Sequence, residues 1–314
     1  MTEPGRTEAD QAVLGLFAVV ILNWNGAEQV EQCVHAVMAS HGIDPFFVIV
    51  DNGSTDGSDS SLASIVRRGT ILKQERNVGV AAGFNVGVRW ALHHGASYVL
   101  LLNSDAMVTP DCIREMKEVL DRMPGVGIVS PRILDAKNRD RIWFDGGFFN
   151  ALGYPVHRRF GWKPNTDHCE YQEDFATGCI FLARADVYLS TGLFDETYFA
   201  YSEDVDLCMR ATAHGWRIFH VPRAVARHAP SSSVLRNAGK WFRDYYVARN
   251  NLLLFRRQRP GTRWAGYLLY YGFVMMLIPA VYFLVTGQFR RVGAMYEGVR
   301  DFFRGEFGER KWAS

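Results

Sequence analysis

Short apolar runs, each ending in a polar tip, recur along the first third of the chain. Phe17–Leu22 (FAVVIL) runs into Asn23-Trp24-Asn25-Gly26. Phe46–Val50 (FFVIV) runs into Asp51-Asn52-Gly53-Ser54, and Tyr98–Leu102 (YVLLL) into Asn103-Ser104-Asp105. Unbroken rather than alternating hydrophobicity marks strands covered on both faces, as in a parallel sheet. Between the runs, residues 27–39 and 79–94 read as helices and Ile71-Leu72 as part of a third strand. A further helix opens near Pro110, a favoured first-turn residue. The alternation predicts an α/β fold with a mostly parallel central sheet flanked by helices. Ligands of such sheets bind at the carboxyl ends of the strands. Asn23, Asp51, Asn52, Asn103 and Asp105 all stand at such ends, so one cleft can collect them.

The pattern weakens over 126–175, where Trp143–Gly147 and 153–168 read as strand and loop. Ala176–Leu182 is another buried run. A helix follows Glu203 and Asp204, whose charges suit the positive start of a helix, and Gly215 closes it. Trp216–Val221 reads as the last core strand, leading through Ala224 to His228. Beyond residue 239 the chain turns aromatic and basic. Trp264–Phe289 carries no formal charge; as helix it would reach about 39 Å at roughly 1.5 Å per residue, enough to cross a bilayer. Gly266, Gly272, Pro279 and Gly287 are expected to interrupt it. Arg256, Arg257, Arg259 and Arg263 flank one end, and Arg290 and Arg291 the other. Positive charge at both ends predicts a re-entrant or interfacial hairpin on the cytoplasmic face of the plasma membrane, peripheral or monotopic. Burial in the core or in a homodimer interface is the bland alternative. The expected organisation is a flexible tail over 1–14, an α/β domain over 15–235 and a helical, membrane-associating extension over 236–314.

Composition sharpens the picture in two places. The net charge of +2 hides an asymmetry: residues 221–314 hold sixteen Lys/Arg against five Asp/Glu, and the rest 19 against 28. A basic, aromatic end on an acidic body predicts an anionic partner surface; a membrane is expected and no nucleic acid. The five cysteines are scattered and form no CxxC pair, so they read as buried thiols of a reducing compartment.

Several polar residues have bland readings. Asp51 and Asn52 fit a turn, Ser104 or Asp105 a helix N-cap, and Glu203-Asp204 a helix-start charge pair. Gly79, Gly83 and Gly87 do not match GxGxxG, which leaves close helix–sheet packing or an anion at the helix start. Two separated carboxylate clusters also occur in glycoside hydrolases. A nucleotidyltransferase would share the sheet but needs a Gly-rich, Arg/Lys-bearing loop after the first strand, which Asn23–Gly26 lacks.

Taken in order, the segments Val20–Gly26, Val50–Gly57, Arg76-Asn77 with Gly79 and Gly83–Asn85, Leu102–Asp105, Thr177-Gly178, Gly192–Glu196 and Tyr201–Leu207 resemble glycosyltransferase family 2. The resemblance covers about residues 17 to 230 and is nearest to bacterial rhamnosyltransferase-like members that build cell-envelope polysaccharides. It implies a GT-A fold and an inverting transfer from a dTDP- or UDP-linked sugar, best dTDP-rhamnose, to a lipid-linked or glycan acceptor. It implies that Leu22, Asn23, Asp51 and Asn52 hold the nucleotide and that Asn77, Gly79 and Asn85 lie near the nucleotide-sugar. Asn103, Ser104 and Asp105 stand where the family has its DXD-like element, with Asp105 the ligand of Mn2+ or Mg2+ and His228 completing the metal site. Asp204 becomes the general base, with Glu203 the competitor. Trp143, Asp145, Thr177 and Gly178 are expected to line the sugar and acceptor pocket.

Overall fold

The computed structural model of the chain describes residues 15–58, 68–138, 140–229, 239–258 and 263–310. The tail expected over 1–14 and the boundary expected near 235 lie outside them. The apolar runs form the parallel half of a sheet. β1 (Leu16–Asn23) pairs in parallel with β2 (Pro45–Asp51) and β4 (Ala96–Asn103), and β2 with β3 (Gly69–Lys73). The other half is mixed. β11 (Ile180–Arg184) runs antiparallel to β4 and to β6 (Val126–Asp135), while β12 (Arg217–His228) is parallel to β6. Short strands β5 (Ala106–Val108), β7 (Ile142–Phe144) and β10 (Tyr171–Glu173) pair at its margins. A hairpin of β8 (Gly147–Phe149) and β9 (Pro155–His157) stands apart. The segments expected as separate pieces around 216–228 are one strand, β12, with a register shift between Val221 and Val225.

Among the described residues, five helices flank the sheet: α1 (Ala27–Met38), α2 (Val80–His93), α3 (Cys112–Arg122), α4 (Ala185–Thr191) and α5 (Glu203–Ala213). The glycines of α2 serve packing. A Cβ on Gly87 would stand 2.3 Å from Val20 Cγ1, and one on Gly83 2.5 Å from Leu22 Cδ1. The helix therefore approaches β1 closer than any side chain allows.

After β12 the chain becomes helical. α6 (Lys240–Gln258) carries the buried Tyr245, Tyr246, Arg249, Asn250 and Leu252–Phe255. α7 (Arg263–Tyr270) continues through a π-helical stretch, Tyr271–Leu277, into α8 (Ile278–Val285). Gly266, Gly272 and Pro279 thus do not interrupt the helix as expected. The wider π turns immediately before Pro279 absorb the carbonyl–ring conflict that would kink an α-helix. Only Gly287, at φ +71°, ends the run. α9 (Phe289–Arg304) then returns along α6. Two basic residues of this end are internal pairs: Arg257 reaches Asp195 and Asp206, and Arg291 reaches Asp244. Four cysteines are buried, as expected, but Cys169 is exposed.

The apolar helix has two apolar faces. Tyr267, Tyr271 and Phe283 are buried, and the Tyr267 and Tyr271 hydroxyls donate to the carbonyls of Asn251 (3.3 Å) and Ala248 (2.7 Å) on α6. On the other face Leu269, Phe273, Leu277, Val281 and Val285 recur every fourth residue and are half to four-fifths exposed. A continuous apolar stripe of this kind marks an interaction surface.

The α6–α9 contact carries a sharp stability prediction. A Cβ on Gly298 would lie 2.4 Å from the Tyr245 carbonyl oxygen, whereas Gly293 on the same helix meets nothing within 4 Å. Gly293→Ala should stabilise by about 0.5–1 kcal/mol through helix propensity. Gly298→Ala should instead destabilise by about 1–3 kcal/mol, because the obstacle is backbone. Chemical denaturation of both variants measures the pair, and equal effects of the same sign would refute the packing argument.

Candidate active site

Strand register builds the floor of the site. Asn23 lies opposite Asp51, and Leu22 opposite Asn103, so three polar strand tips share one edge of the sheet. Asn23 Nδ2 donates to Asp51 Oδ1 at 3.1 Å and to Ser54 Oγ at 3.2 Å, and the Ser54 hydroxyl also accepts from the Asn25 amide at 2.9 Å. Both Asn23 and Asp51 are fully buried, yet Asn23 Oδ1 and Asp51 Oδ2 have no hydrogen-bond partner among the described residues. Two unpaired buried acceptors side by side call for a donor from outside.

The next group supports rather than faces this floor. The Asn52 amide donates to Asn77 Oδ1 (3.1 Å) and the Gly79 carbonyl (3.0 Å), and its oxygen accepts from the Val78 amide (2.9 Å). Asn77 Oδ1 also accepts from the Gly79 amide at 2.8 Å. The Val80 and Ala81 amides point at the Phe199 carbonyl, at 2.6 and 3.4 Å. The Val80 and Ala81 amides at the start of α2 therefore have a partner within the chain, which favours the packing reading of these glycines over an anion. Asn85 is buried and clamps a distant loop: its oxygen accepts from the Phe194 amide, and its nitrogen donates to the Phe194 carbonyl and Glu196, each at 2.9 Å. Leu22 packs on Gly83.

Beyond β4 the chain turns through Ser104 and Asp105 into β5, which pairs with the end of β12 so that Ala106 faces His228. This antiparallel pairing brings together residues 123 positions apart: Asp105 Oδ1 and His228 Nε2 are 3.1 Å apart, both nearly buried. The helix-cap reading of Ser104 and Asp105 falls, since α3 opens only at Cys112. Trp143 packs edge-on against the His228 ring at 4.4 Å, and His228 Nδ1 has no partner among the described residues. The pair stands at hydrogen-bond distance, and one carboxylate with one imidazole supplies donor types that a divalent cation would take. No group of three or more His, Cys, Asp or Glu side chains gathers for a metal among the described residues. Any cation held here would draw its other ligands from water and substrate.

The second carboxylate cluster adjoins the first. The Asn103 amide donates to the Cys179 carbonyl at 2.9 Å, and the neighbouring Gly178 amide donates to Asp204 Oδ2 at 2.6 Å. The buried Cys179 thiol is pushed up by burial first, then by the charge of Asp105, and also by that of Asp204. Asp204 Oδ1 takes the Val205 amide at 2.8 Å. Burial pushes Asp204 up against the pull of these two amide bonds. Burial, and then the Asp204 charge, pushes Glu203 up further, and Glu203 Oε2 has no partner among the described residues. Two coupled carboxylates that resist double ionisation suit proton transfer near neutral pH. Asp206 turns away to Arg210 Nε at 2.8 Å and the Tyr198 hydroxyl at 3.2 Å.

Asp145 is not part of a pocket. It is fully buried between Arg132 Nε (2.7 Å), Arg159 Nη1 (3.1 Å) and His220 Nε2 (3.1 Å). His220 Nδ1 meets Ser130 Oγ at 2.9 Å, and Ser130 meets Glu173 at 2.5 Å. The Ser130–His220–Asp145 order copies a hydrolase triad, but all three are fully buried, so no substrate reaches the hydroxyl. Nothing in the sequence pointed to this network. A signal did exist for another buried group, Arg249-Asn250-Asn251: three polar residues inside the apolar stretch 245–255.

Comparison with known proteins fits this geometry. A family model described as "Glycosyltransferase like family 2" matches residues 15–246. The low-salt glycan biosynthesis hexosyltransferase Agl10 of Haloferax volcanii is 25% identical over 260 residues, covering 78% of this chain and 79% of that protein. The N-acetylglucosaminyl-diphospho-decaprenol L-rhamnosyltransferase of Mycobacterium tuberculosis is 26% identical over 245 residues, covering 69% and 78%. Among solved structures, a mannosyltransferase from Pyrobaculum calidifontis in complex with GDP-Man and Mn2+ superposes with a TM-score of 0.59 at 14% identity, over 97% of this chain and 91% of that one. GalNAc-T7 with UDP, GalNAc and Mn2+ gives 0.55 at 15% identity, over 84% and 58%. These likenesses establish the GT-A fold.

The buried network predicts a pH dependence of stability. Burial lifts Glu173 from its ordinary 4.5 to about 8, against hydrogen bonds from Ser130 and the Gly147 amide. The folded state therefore keeps a proton that the unfolded state loses, and stability declines as pH rises from about 4.5 to 8, then levels. Inside that window the slope reaches at most about 1.4 kcal/mol per pH unit. Glu173→Gln can replace both contacts, its oxygen accepting from Gly147 and its nitrogen donating to Ser130 once that hydroxyl turns to His220 Nδ1. Its melting temperature relative to wild type should climb between pH 5 and pH 8.5; parallel curves would sink the assignment.

Proposed function

The chain belongs to glycosyltransferase-like family 2, and from that premise we propose that it is a metal-dependent inverting glycosyltransferase of cell-envelope glycan synthesis. The observation that carries this reading is the 3.1 Å approach of Asp105 and His228 at a strand tip, with Asp204 anchored beside that tip by the Gly178 amide. Asp51 Oδ2, buried and unpaired, accepts a hydrogen bond from a pyrimidine imide or ribose hydroxyl, while Asn23 and the backbone at Leu22 hold the base. Asn103 and Ser104 flank the diphosphate. Asn52, Asn77, Gly79 and Asn85 shape the wall rather than bind. Asp105 and His228 hold the cation; its chemistry is to offset the charge of the departing diphosphate, and the imidazole favours Mn2+ over Mg2+.

Asp204 takes the proton of the acceptor hydroxyl, with Glu203 the second choice. The hydroxyl oxygen forms a bond to the anomeric carbon as the carbon–phosphate-oxygen bond breaks. The nucleoside diphosphate leaves with the bonding pair, and the configuration inverts. The sugar is rhamnose from dTDP-rhamnose on the similarity to proteins named rhamnosyltransferases. UDP-linked hexosyl or N-acetylhexosaminyl transfer is the alternative.

Residues 236–314 are read as a membrane-associating extension of a catalytic domain over 15–235. The apolar stripe supports a polyprenyl-linked acceptor at the cytoplasmic face of a membrane. Tyr267 and Tyr271 bond to α6 and Phe283 is buried, and these points of attachment favour lying on the bilayer over crossing it. A homodimer covering the same stripe is the competing use.

Three outcomes follow for the site. Asp105→Ala should abolish Mn2+-dependent donor binding, measured by calorimetry over dTDP-, UDP- and GDP-sugars. Asp204→Asn should bind donor normally while turnover falls by about 10²–10⁴. Near-normal turnover of that variant, with loss in Glu203→Gln, would move the base to Glu203. For the surface, the triple change Phe273→Glu, Val281→Glu and Val285→Glu should release the protein from vesicles yet leave transfer to a short soluble acceptor intact. A fall in oligomer size with unchanged vesicle binding would favour the dimer.

A further inference from the structure

The loop entering the carboxylate helix is strained. Phe199, Tyr201 and Ser202 hold φ of +61°, +67° and +73°, values that side-chain-bearing residues rarely adopt. Each costs roughly 1–3 kcal/mol and persists only where the surroundings impose it. The loop runs straight into Glu203 and Asp204, and α5 begins with no side-chain cap on its first turn.

The conformation is held largely from α6, where Asn251 Oδ1 also accepts from the Ser202 hydroxyl at 3.3 Å. The Asn250 amide nitrogen donates to three carbonyls of the loop, Tyr198 (2.9 Å), Ala200 (2.7 Å) and Tyr201 (2.8 Å). Its oxygen accepts from Arg249 Nε at 2.9 Å, which fixes which way the amide faces. Arg249 adds Nη2 to the carbonyls of Tyr198 (3.0 Å) and Thr197 (3.3 Å) and Nη1 to that of Gly308 (2.8 Å). Both residues are essentially inaccessible to water, so every lost bond would leave a buried polar group unpaired. From the far side of the loop, the Phe199 carbonyl takes the Val80 amide, and Gly79 leaves room where a Cβ would sit 2.6 Å from the Phe199 ring.

We propose that Asn250, oriented by Arg249, is a positioning residue for sugar transfer: it holds residues 198–202 in their left-handed course and so aims Asp204 and Glu203 at the acceptor hydroxyl. The proposal rests on the reading of this pair as the base. Neither side chain touches the strand-tip floor at Asn23 and Asp51 or the Asp105–His228 pair. The loop meets the donor wall at Gly79 and Val80 through Phe199, so the chemical step depends on the clamp more than donor binding does.

Asn250→Asp and Asn250→Ala in the full-length protein test this, with kcat, donor and acceptor KM, the pH–rate profile and Mn2+-dependent nucleoside diphosphate binding all measured per folded molecule. Turnover should fall about 10²-fold, the loss expected of a carboxylate displaced by the order of 1 Å. Nucleoside diphosphate affinity should stay within about 2-fold, since distant sites act independently. The acid limb of the pH profile should move. Adding Ser202→Gly, which accepts positive φ without strain, should recover turnover roughly tenfold. Lower melting temperature with unchanged kcat and pH profile would reduce Asn250 to a structural residue and overturn the proposal. If neither Asn250 variant folds, Arg249→Lys keeps the charge but loses the fork, and carries the same expectation. A wild type that binds nucleotide but transfers no sugar would instead overturn the transferase reading.

Discussion

In a parallel sheet, side chains alternate faces with a period of two, so a slip of one residue between neighbouring strands reverses every contact. The site depends on that register being held at β1. Asn23 can donate to Asp51 only because the strands run abreast from Phe17 and Pro45 to their tips. Asn103 stands level with Leu22 only because β4 is in step on the other side. What holds the register is the inaccessible apolar content of the strands, Val19 to Ile21, Val48 to Val50 and Leu100 to Leu102. Burying that many aliphatic side chains on both faces leaves no alternative pairing of comparable stability. The polar tips then have no freedom of their own. They stand where the hydrophobic core puts them.

A core that rigid can hold groups that would otherwise relax. Asn23 Oδ1, Asp51 Oδ2, Glu203 Oε2 and His228 Nδ1 are buried without hydrogen-bond partners among the described residues. Each unsatisfied group costs about 1–3 kcal/mol. They stand at three strand ends and one helix start. The Arg132–Asp145–His220–Ser130–Glu173 network, by contrast, is densely charged yet hydrogen-bonded at every one of these side chains. The contrast separates two kinds of buried carboxylate. Asp145 holds the protein together. Asp51 and Glu203 each keep one buried oxygen without a partner among the described residues.

This distinction was not legible in the sequence, although much of the frame was. Uninterrupted apolar runs with polar ends identified β1, β2, β4 and β11, and the acidic opening and glycine close of α5 were visible. The antiparallel strands were harder, because β7 to β10 are three residues each and carry no period. Asn85 and Asp145 misled for a shared reason. Their residue types suit ligands, and the partners that satisfy them lie 109 and 75 positions away, where no local pattern reaches. Pro279 misled oppositely: a helix breaker by its chemistry, it is absorbed by π turns that depend on packing against α6. The resemblance put Asp105 and His228 in one metal site, but the approach itself is a product of β5–β12 pairing.

Helix α6 joins the two halves of the molecule that the sequence kept apart. On one side its Arg249 and Asn250 grip the loop before Glu203 and Asp204. On the other, Tyr271 and Tyr267 bond to its carbonyls at Ala248 and Asn251, bracketing the same two residues. One rigid helix thus fixes the distance between the exposed apolar stripe and the carboxylate pair. If the stripe lies on a bilayer, the carboxylates work at a set height above it, and an acceptor hydroxyl at that height on a lipid-linked sugar meets them without a search. A soluble glycan acceptor gains nothing from such an arrangement. Through α6, any contact made by the stripe is thus linked to the place at which the carboxylate pair stands.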